Sequence, residues 1–234
     1  MKQKRAEPEK VDAVLLKHYG KYPAEKNPNL LDELLWFMLS TRTTVQSCEK
    51  AFQACKLLFP THDAILHAPV EALAAPLKCT GFSNRRAADI RESWLRIKTA
   101  FGRLTLSPLK RMSTQEAEAF LLSLPGVGTK VARCFLQFGL NANVFAVDTH
   151  IWRISQRLGW IPDQAGAAPH QKGVDAIQAL VPMTDAVSLH VNMIFLGRDF
   201  CYAQTPACVH CPLHTLCPNA TGGQTRCEKR VAVI

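Results

Sequence analysis

The chain has 234 residues, of which 47% are hydrophobic, ample for a packed core and enough to exclude disordered and collagen-like classes. Its 28 Lys+Arg against 19 Asp+Glu give a formal charge of +9, which favours a polyanionic partner such as nucleic acid over an acidic small molecule. The opening MKQKRAEPEK leads into no apolar run and no later run reaches membrane-spanning length, so a soluble, cytoplasmic protein is expected, nucleoid-associated if bacterial, whose nine cysteines are not a disulfide framework.

Almost every long segment reads with helical period, and strand-like alternation is nearly absent. Pro28 to Leu39 is nearly all apolar, as expected of a helix buried on most of its surface. Val45 to Leu58 is amphipathic. Asn84 to Phe101 carries Ala87, Ile90, Trp94, Ile97 and Phe101 at three- and four-residue intervals. From Asn84 to Arg111 the charges are Arg85, Arg86, Arg91, Arg96, Lys98, Arg103, Lys110 and Arg111 against Asp89 and Glu92. Such a run is either a solvated face or, beside other nucleic-acid signals, a phosphate-contacting surface. Ser113-Thr114-Gln115-Glu116 is a capping-box sequence that opens a helix ended by Pro125-Gly126. A further helix is expected from Gly128 to Phe138 with Gly139 as its left-handed cap. Asp148 should cap a helix through Leu158, and two more follow near Gln171–Leu180 and Asp185–Leu196. The expectation is an all-α protein of about ten short helices.

The stretch Leu124-Pro-Gly-Val-Gly-Thr-Lys-Val-Ala132 sets two glycines and a lysine at the mouth of a helix. A phosphate-binding P-loop requires G-x-x-x-x-G-K-[ST] after a strand, whereas here Thr129 follows Gly128 and a helix precedes the loop. Helix, Leu-Pro-Gly-Val-Gly, helix is instead a helix-hairpin-helix pattern, in which free N–H groups at the start of the second helix can face one DNA phosphate without reading sequence. Lys130 lies in the first turn of that second helix. An amine there is either a phosphate counterion or, if held neutral by burial or by the positive helix end, a nucleophile. Eighteen residues later, in Val147-Asp148-Thr149-His150, Asp148 serves as an N-cap and is thereby held rigidly toward whatever lies in front of it.

The tail CYAQTPACVHCPLHTLC places Cys201, Cys208, Cys211 and Cys217 with gaps of six, two and five residues. Four thiolates so close in sequence can converge on one metal centre. Spacing leaves zinc and an iron–sulfur cluster open, and His210 or His214 could replace a sulfur on the zinc reading. Among the other cysteines Cys48 and Cys55, two helical turns apart, read as packing, while Cys79, Cys134 and Cys227 carry no pattern.

Leu124–Ala132 followed by Val147-Asp148-Thr149-His150 resembles the signature of helix-hairpin-helix DNA glycosylases, and the Cys201–Cys217 tail resembles their endonuclease III branch. The likeness runs from about Leu30 to Cys217. It implies an all-α, two-domain fold: a six-helix barrel over 23–142 with the helix-hairpin-helix, and a discontinuous domain, 1–22 plus 143–234, holding a 4Fe-4S cluster on the four cysteines. It further implies a monomeric base excision repair enzyme, a bifunctional DNA glycosylase and abasic-site lyase, whose partner is duplex DNA containing damaged pyrimidines or abasic sites. Lys130 would attack the sugar C1′ of a flipped nucleotide and form a Schiff base that promotes β-elimination, and Asp148 would stabilise the developing positive charge. Gly126, Val127, Gly128, Thr129 and His150 would contact the DNA.

Three features depart from the family pattern. Arg42 and Val45 stand where relatives commonly have Gln and Asp, and an arginine near the gap left by the flipped base could alter the opposite-base preference. Phe82 stands where relatives usually have an aliphatic wedge and offers a larger apolar face to the vacated stack. The Cys201–Cys208 loop lacks the basic residues often found there. Together these departures suggest a specialised paralogue. The alternatives are an enzyme acting mainly as an abasic-site lyase, and a non-catalytic DNA-binding or redox protein that keeps hairpin and cluster.

Overall fold

The structure is a computed structural model that describes residues 5–23, 29–163 and 168–221. Among these residues there is no strand, and the helices are α1 (Pro8–Tyr19), α2 (Leu30–Leu39), α3 (Val45–Leu58), α4 (His62–His67), α5 (Val70–Ala74), α6 (Ser83–Phe101), α7 (Thr114–Leu122), α8 (Thr129–Cys134), α9 (Thr149–Arg157), α10 (Gln171–Gln178), α11 (Ala186–Asp199) and α12 (Pro218–Thr221). Helices α1, α4, α5 and α12 are not among those expected; α4, α5 and α12 are too short to show a period, whereas α1 carries one in Pro8, Val11, Val14 and Leu15. None of the helices is long and apolar enough to cross a membrane among the described residues. The chain divides into two compact units, Met1–Ala24 with Asn143–Ile234, and Glu25–Ala142.

In the unit Glu25–Ala142 side-chain caps start α2, α3, α4 and α7: Asn29 accepts from the Leu31 N–H, Thr44 from Ser47, Thr61 from Ala64, and Ser113 with Glu116 completes a capping box. The core gathers Leu34, Leu35 and Leu39 of α2 with Ile90, Trp94 and Ile97 of α6, and with Leu121 and Phe135. One polar network crosses it. The Trp94 indole donates to His62 Nδ1 at 3.1 Å, and His62 Nε2 and Lys56 Nζ meet Asp32 Oδ1 at 2.9 and 2.8 Å. Burial lowers the His62 pKa, an effect that neighbouring Asp32 partly offsets.

The expected helix from Gly128 to Phe138 is not uniform. After α8 the backbone widens into a π turn, Phe135–Gly139. Gly139 is not the left-handed cap either. It stays in the turn against Glu33 and Leu30, and Asn141, at φ 55°, takes the left-handed position. Asparagine tolerates that conformation because its short side chain can bond locally.

In the unit Met1–Ala24 with Asn143–Ile234, α11 packs on both α1 and α9. Its core includes Val11, Leu15, Phe145, Ile151, Ile154, Leu189, Met193 and Leu196. The apolar run Val144–Val147 is buried without forming a strand. Asp148 caps α9 through the Ile151 N–H at 2.8 Å, and Asp185 caps α11 through Ser188. Helices α9 and α11 meet where Gly197 faces His150: a Cβ on Gly197 would lie 2.5 Å from His150 Nδ1 and 2.8 Å from its Cβ. Gly197→Ala should therefore cost about 1–3 kcal/mol by overpacking, read as a lower urea midpoint at unchanged slope. An unchanged midpoint would show that this contact does not limit the packing of α9 on α11.

Candidate active site

The hairpin between α7 and α8 is built on α6. Ser93 Oγ donates to the Pro125 carbonyl at 2.9 Å, and the Arg96 guanidinium donates to the Ser123 carbonyl at 2.9 Å. Gly126 sits at φ +73°, where an added Cβ would lie 3.0 Å from Asp89 Cβ and 3.1 Å from Met38 Cε. The positive φ favours glycine, and the tight approach of Asp89 and Met38 adds to that preference. Val127 is buried, Gly128 is exposed and extended, and Thr129 opens α8 with no side chain capping its first N–H groups.

Lys130 is the second residue of α8 and is half-buried. Its Nζ bonds Ser40 Oγ at 3.0 Å and stands 5.6 Å from the centroid of the Phe37 ring. Ser40 itself donates to the Phe37 carbonyl at 2.8 Å, which leaves its lone pairs to accept from the lysine. The Cys48 thiol lies in the same neighbourhood. Burial pushes it up to about 11, against the pull of the Lys130 and Arg86 charges. The sequence includes Ser40 in a turn without marking it as the lysine's partner, because ninety residues separate the two.

The basic run of α6 is partly consumed inside the unit. Arg85 pairs with Asp89 at 3.2 Å and Arg96 with Glu92 at 2.8 Å, while Arg86 turns inward to backbone carbonyls. Arg86 is thus not a free phosphate contact. Arg42 and Phe82 are both exposed, Phe82 to 70%, and both adopt left-handed backbone, at φ 53° and 52°.

In the other unit Asp148 keeps one carboxylate oxygen on the α9 cap and is half-buried. His150 is held by an Arg153 guanidinium nitrogen at 3.1 Å from Nδ1, and burial lowers its pKa, partly offset by Asp148. Burial thus favours the neutral form of the ring. The arginines of α9 reach the cysteine segment: Arg153 Nε donates to the Cys201 carbonyl at 2.9 Å, and Arg157 donates to Cys201 Sγ at 3.0 Å and to the Tyr202 carbonyl at 2.7 Å.

Among the described residues no group of three or more His, Cys, Asp or Glu side chains is arranged to hold a metal ion. Cys201, Cys208, Cys211 and Cys217 are nonetheless all partly buried in consecutive turns. Burial pushes the Cys211 thiol up to about 11, with Cys201 and Cys217 adding to the rise, and raises Cys217 as well. Backbone N–H groups of Leu213 on Cys211, and of Asn219 and Ala220 on Cys217, work in the opposite direction. His214 Nδ1 is engaged with the Cys208 carbonyl at 2.9 Å. Cys227 lies outside the described residues.

A family model for HhH-GPD superfamily base excision DNA repair proteins matches residues 35–176. A protein of Arabidopsis thaliana named as a DNA glycosylase is 35% identical over 137 residues, 58% of this chain and 47% of that protein, so the chain spans about half of its length. Endonuclease III of Thermotoga maritima is 30% identical over 184 residues, 79% of this chain and 80% of that protein. In fold, the chain is similar to the endonuclease III of a solved non-covalent Endonuclease III–DNA complex, with a TM-score of 0.74 at 24% identity, over 92% of this chain and 95% of that one.

The capping role of Asp148 can be separated from any chemistry. Asp148→Ala should destabilise the protein by about 1 kcal/mol through loss of the cap, whereas Asp148→Asn, which keeps an acceptor oxygen, should leave the denaturation midpoint nearly unchanged. Equal destabilisation by both would mean that the negative charge, not the cap bond, holds the start of α9.

Proposed function

Because the chain belongs to the HhH-GPD superfamily of base excision DNA repair proteins and is endonuclease III-like within it, we propose that it is a DNA glycosylase and abasic-site lyase acting on oxidised pyrimidines in duplex DNA. The observation that carries this reading is Lys130, held at the start of α8 with its amine bonded to Ser40 and half removed from water. Ser40, whose proton is committed to the Phe37 carbonyl, can only accept from this amine and so fixes its position at the start of α8.

The hairpin N–H groups bind a backbone phosphate of the lesion strand, and Phe82 fills the stack when the damaged nucleotide turns out. Arg42 meets the base left unpaired. The neutral Lys130 amine attacks C1′, the C1′–N bond breaks, and the base departs after taking a proton. The sugar ring then opens to a Schiff base, loss of a C2′ proton follows, and the C3′–O bond to the 3′ phosphate breaks. Ser40 accepts one amine N–H and so leaves the nitrogen lone pair free for attack. Asp148 stabilises positive charge that develops on the sugar.

The cysteine segment fits a 4Fe-4S cluster in its donor chemistry. It offers four sulfurs on turns, N–H donors acting on Cys211 and Cys217, and a guanidinium on Cys201. Cys201, Cys208, Cys211 and Cys217 would hold the cluster. When bound, the cluster would take these cysteines as thiolates, and Arg153 and Arg157 would hold the segment beside it through the Cys201 carbonyl, the Cys201 sulfur and the Tyr202 carbonyl.

Borohydride trapping on duplex DNA containing an abasic site or thymine glycol tests the enzyme. A covalent adduct should form with the wild type and fall at least about 1,000-fold in Lys130→Ala, the scale on which a covalent nucleophile is lost. A folded wild type that binds this DNA and never traps contradicts the catalytic reading in favour of a DNA-binding module. Purified protein should be brown and contain iron; stoichiometric zinc instead would contradict the cluster.

A further inference from the structure

Arg86 is the most heavily committed cation of α6. Its Nε donates to the Gly81 carbonyl at 3.0 Å, one terminal nitrogen donates to the Met38 carbonyl at 2.7 Å and to Thr41 Oγ1 at 2.9 Å, and the other donates to the Thr41 carbonyl. The acceptors belong to two separate turns and to the end of α2. Gly81 immediately precedes Phe82, and Thr41 immediately precedes Arg42. Thr41 Oγ1 is tied further to the Met38 carbonyl at 3.1 Å, so the end of α2 is part of the same junction.

The residues that follow these acceptors share an unusual property. Arg42 and Phe82 both hold left-handed backbone without being glycine, and both leave their side chains exposed. An L-residue in that conformation is disfavoured by about tenfold relative to its ordinary basins. Such a backbone persists only where its surroundings over-determine it. The planar five-donor fork of Arg86 supplies that constraint to both turns from one side chain, which the single ammonium of lysine cannot do.

We propose that Arg86 is a positioning residue that locks the Arg42 turn and the Phe82 hairpin into one rigid edge, so that insertion into the stack and contact with the opposite base occur together. The inference rests on the reading that Phe82 and Arg42 enter the duplex at the lesion. It makes opposite-base discrimination a property of the clamp as well as of the arginine that touches the base.

The test uses the full chain with two readouts that do not depend on the fraction of folded protein. One is the ratio of single-turnover trapping rates on duplexes with guanine or adenine opposite an abasic site. The other is the fluorescence amplitude, at saturating protein, of 2-aminopurine placed opposite a tetrahydrofuran abasic analogue. Arg42→Ala should abolish the departure of the ratio from unity, and Phe82→Ala should remove most of the amplitude. Arg86→Lys should do both, loosening each turn by about tenfold. A lower total trapping rate with ratio and amplitude at wild-type values would reduce Arg86 to a merely structural residue and overturn the proposal. If Arg42→Ala and Phe82→Ala shift the readouts while Arg86→Lys does not, the clamp fails and the duplex reading stands. If neither of those two shifts them, or the wild-type ratio is unity, the duplex reading fails and takes the clamp with it. Should Arg86→Lys not fold, Thr41→Val, which removes one of the four contacts, should shift the same ratio to a smaller degree, and no shift overturns the proposal.

Discussion

The hairpin has no alternative backbone at Gly126. A positive φ disfavours other side chains there, and an added Cβ would press on Asp89 and Met38, which would have to shift to admit it. Much of the unit Glu25–Ala142 follows from that constraint. With the turn pressed against α6, Ser93 and Arg96 can reach the Pro125 and Ser123 carbonyls. Each neutral bond contributes about 0.5–1.5 kcal/mol and the guanidinium bond about 1.5–3 kcal/mol. Helix α8 then starts at a fixed point, and its second residue reaches Ser40.

The same helix organises the exposed edge. α6 begins at the left-handed Phe82, sends Arg86 back to the loops before Arg42 and Phe82, and supports the hairpin one to three turns later through Asp89, Ser93 and Arg96. Its adjoining face is anchored in the core by Ile90, Trp94 and Ile97, and Trp94 joins the His62–Asp32–Lys56 network. A buried network of this kind holds geometry more than it adds stability, because desolvation of its charges offsets much of their attraction. In the unit Met1–Ala24 with Asn143–Ile234, α9 plays a comparable part: it starts on Asp148 and ends with Arg157 on the Cys201 sulfur.

What could be read from the residues were features set by short-range chemistry. The helices α2, α3, α6, α7 and α9 are fixed by apolar period and by caps such as Ser113 with Glu116 and Asp148, all of which act within four residues. The glycine reversal at Pro125-Gly126 was legible for the same reason. Features that depend on contacts far along the chain were not. The π turn after Cys134 displaces the expected cap from Gly139 to Asn141. Ser40 meets Lys130 across ninety residues, and Arg86, which belongs to a basic run by composition, is spent on the carbonyls of Gly81, Met38 and Thr41. Composition counts charges and cannot see which of them fold inward.

The central claim is that the hairpin delivers Lys130, and no other amine, to the sugar. Peptide mapping of the borohydride-reduced adduct by mass spectrometry tests it most directly. The account predicts the deoxyribose remnant on the peptide that contains Lys130. Its recovery on another lysine or on the N-terminal amine would contradict the assignment of the nucleophile.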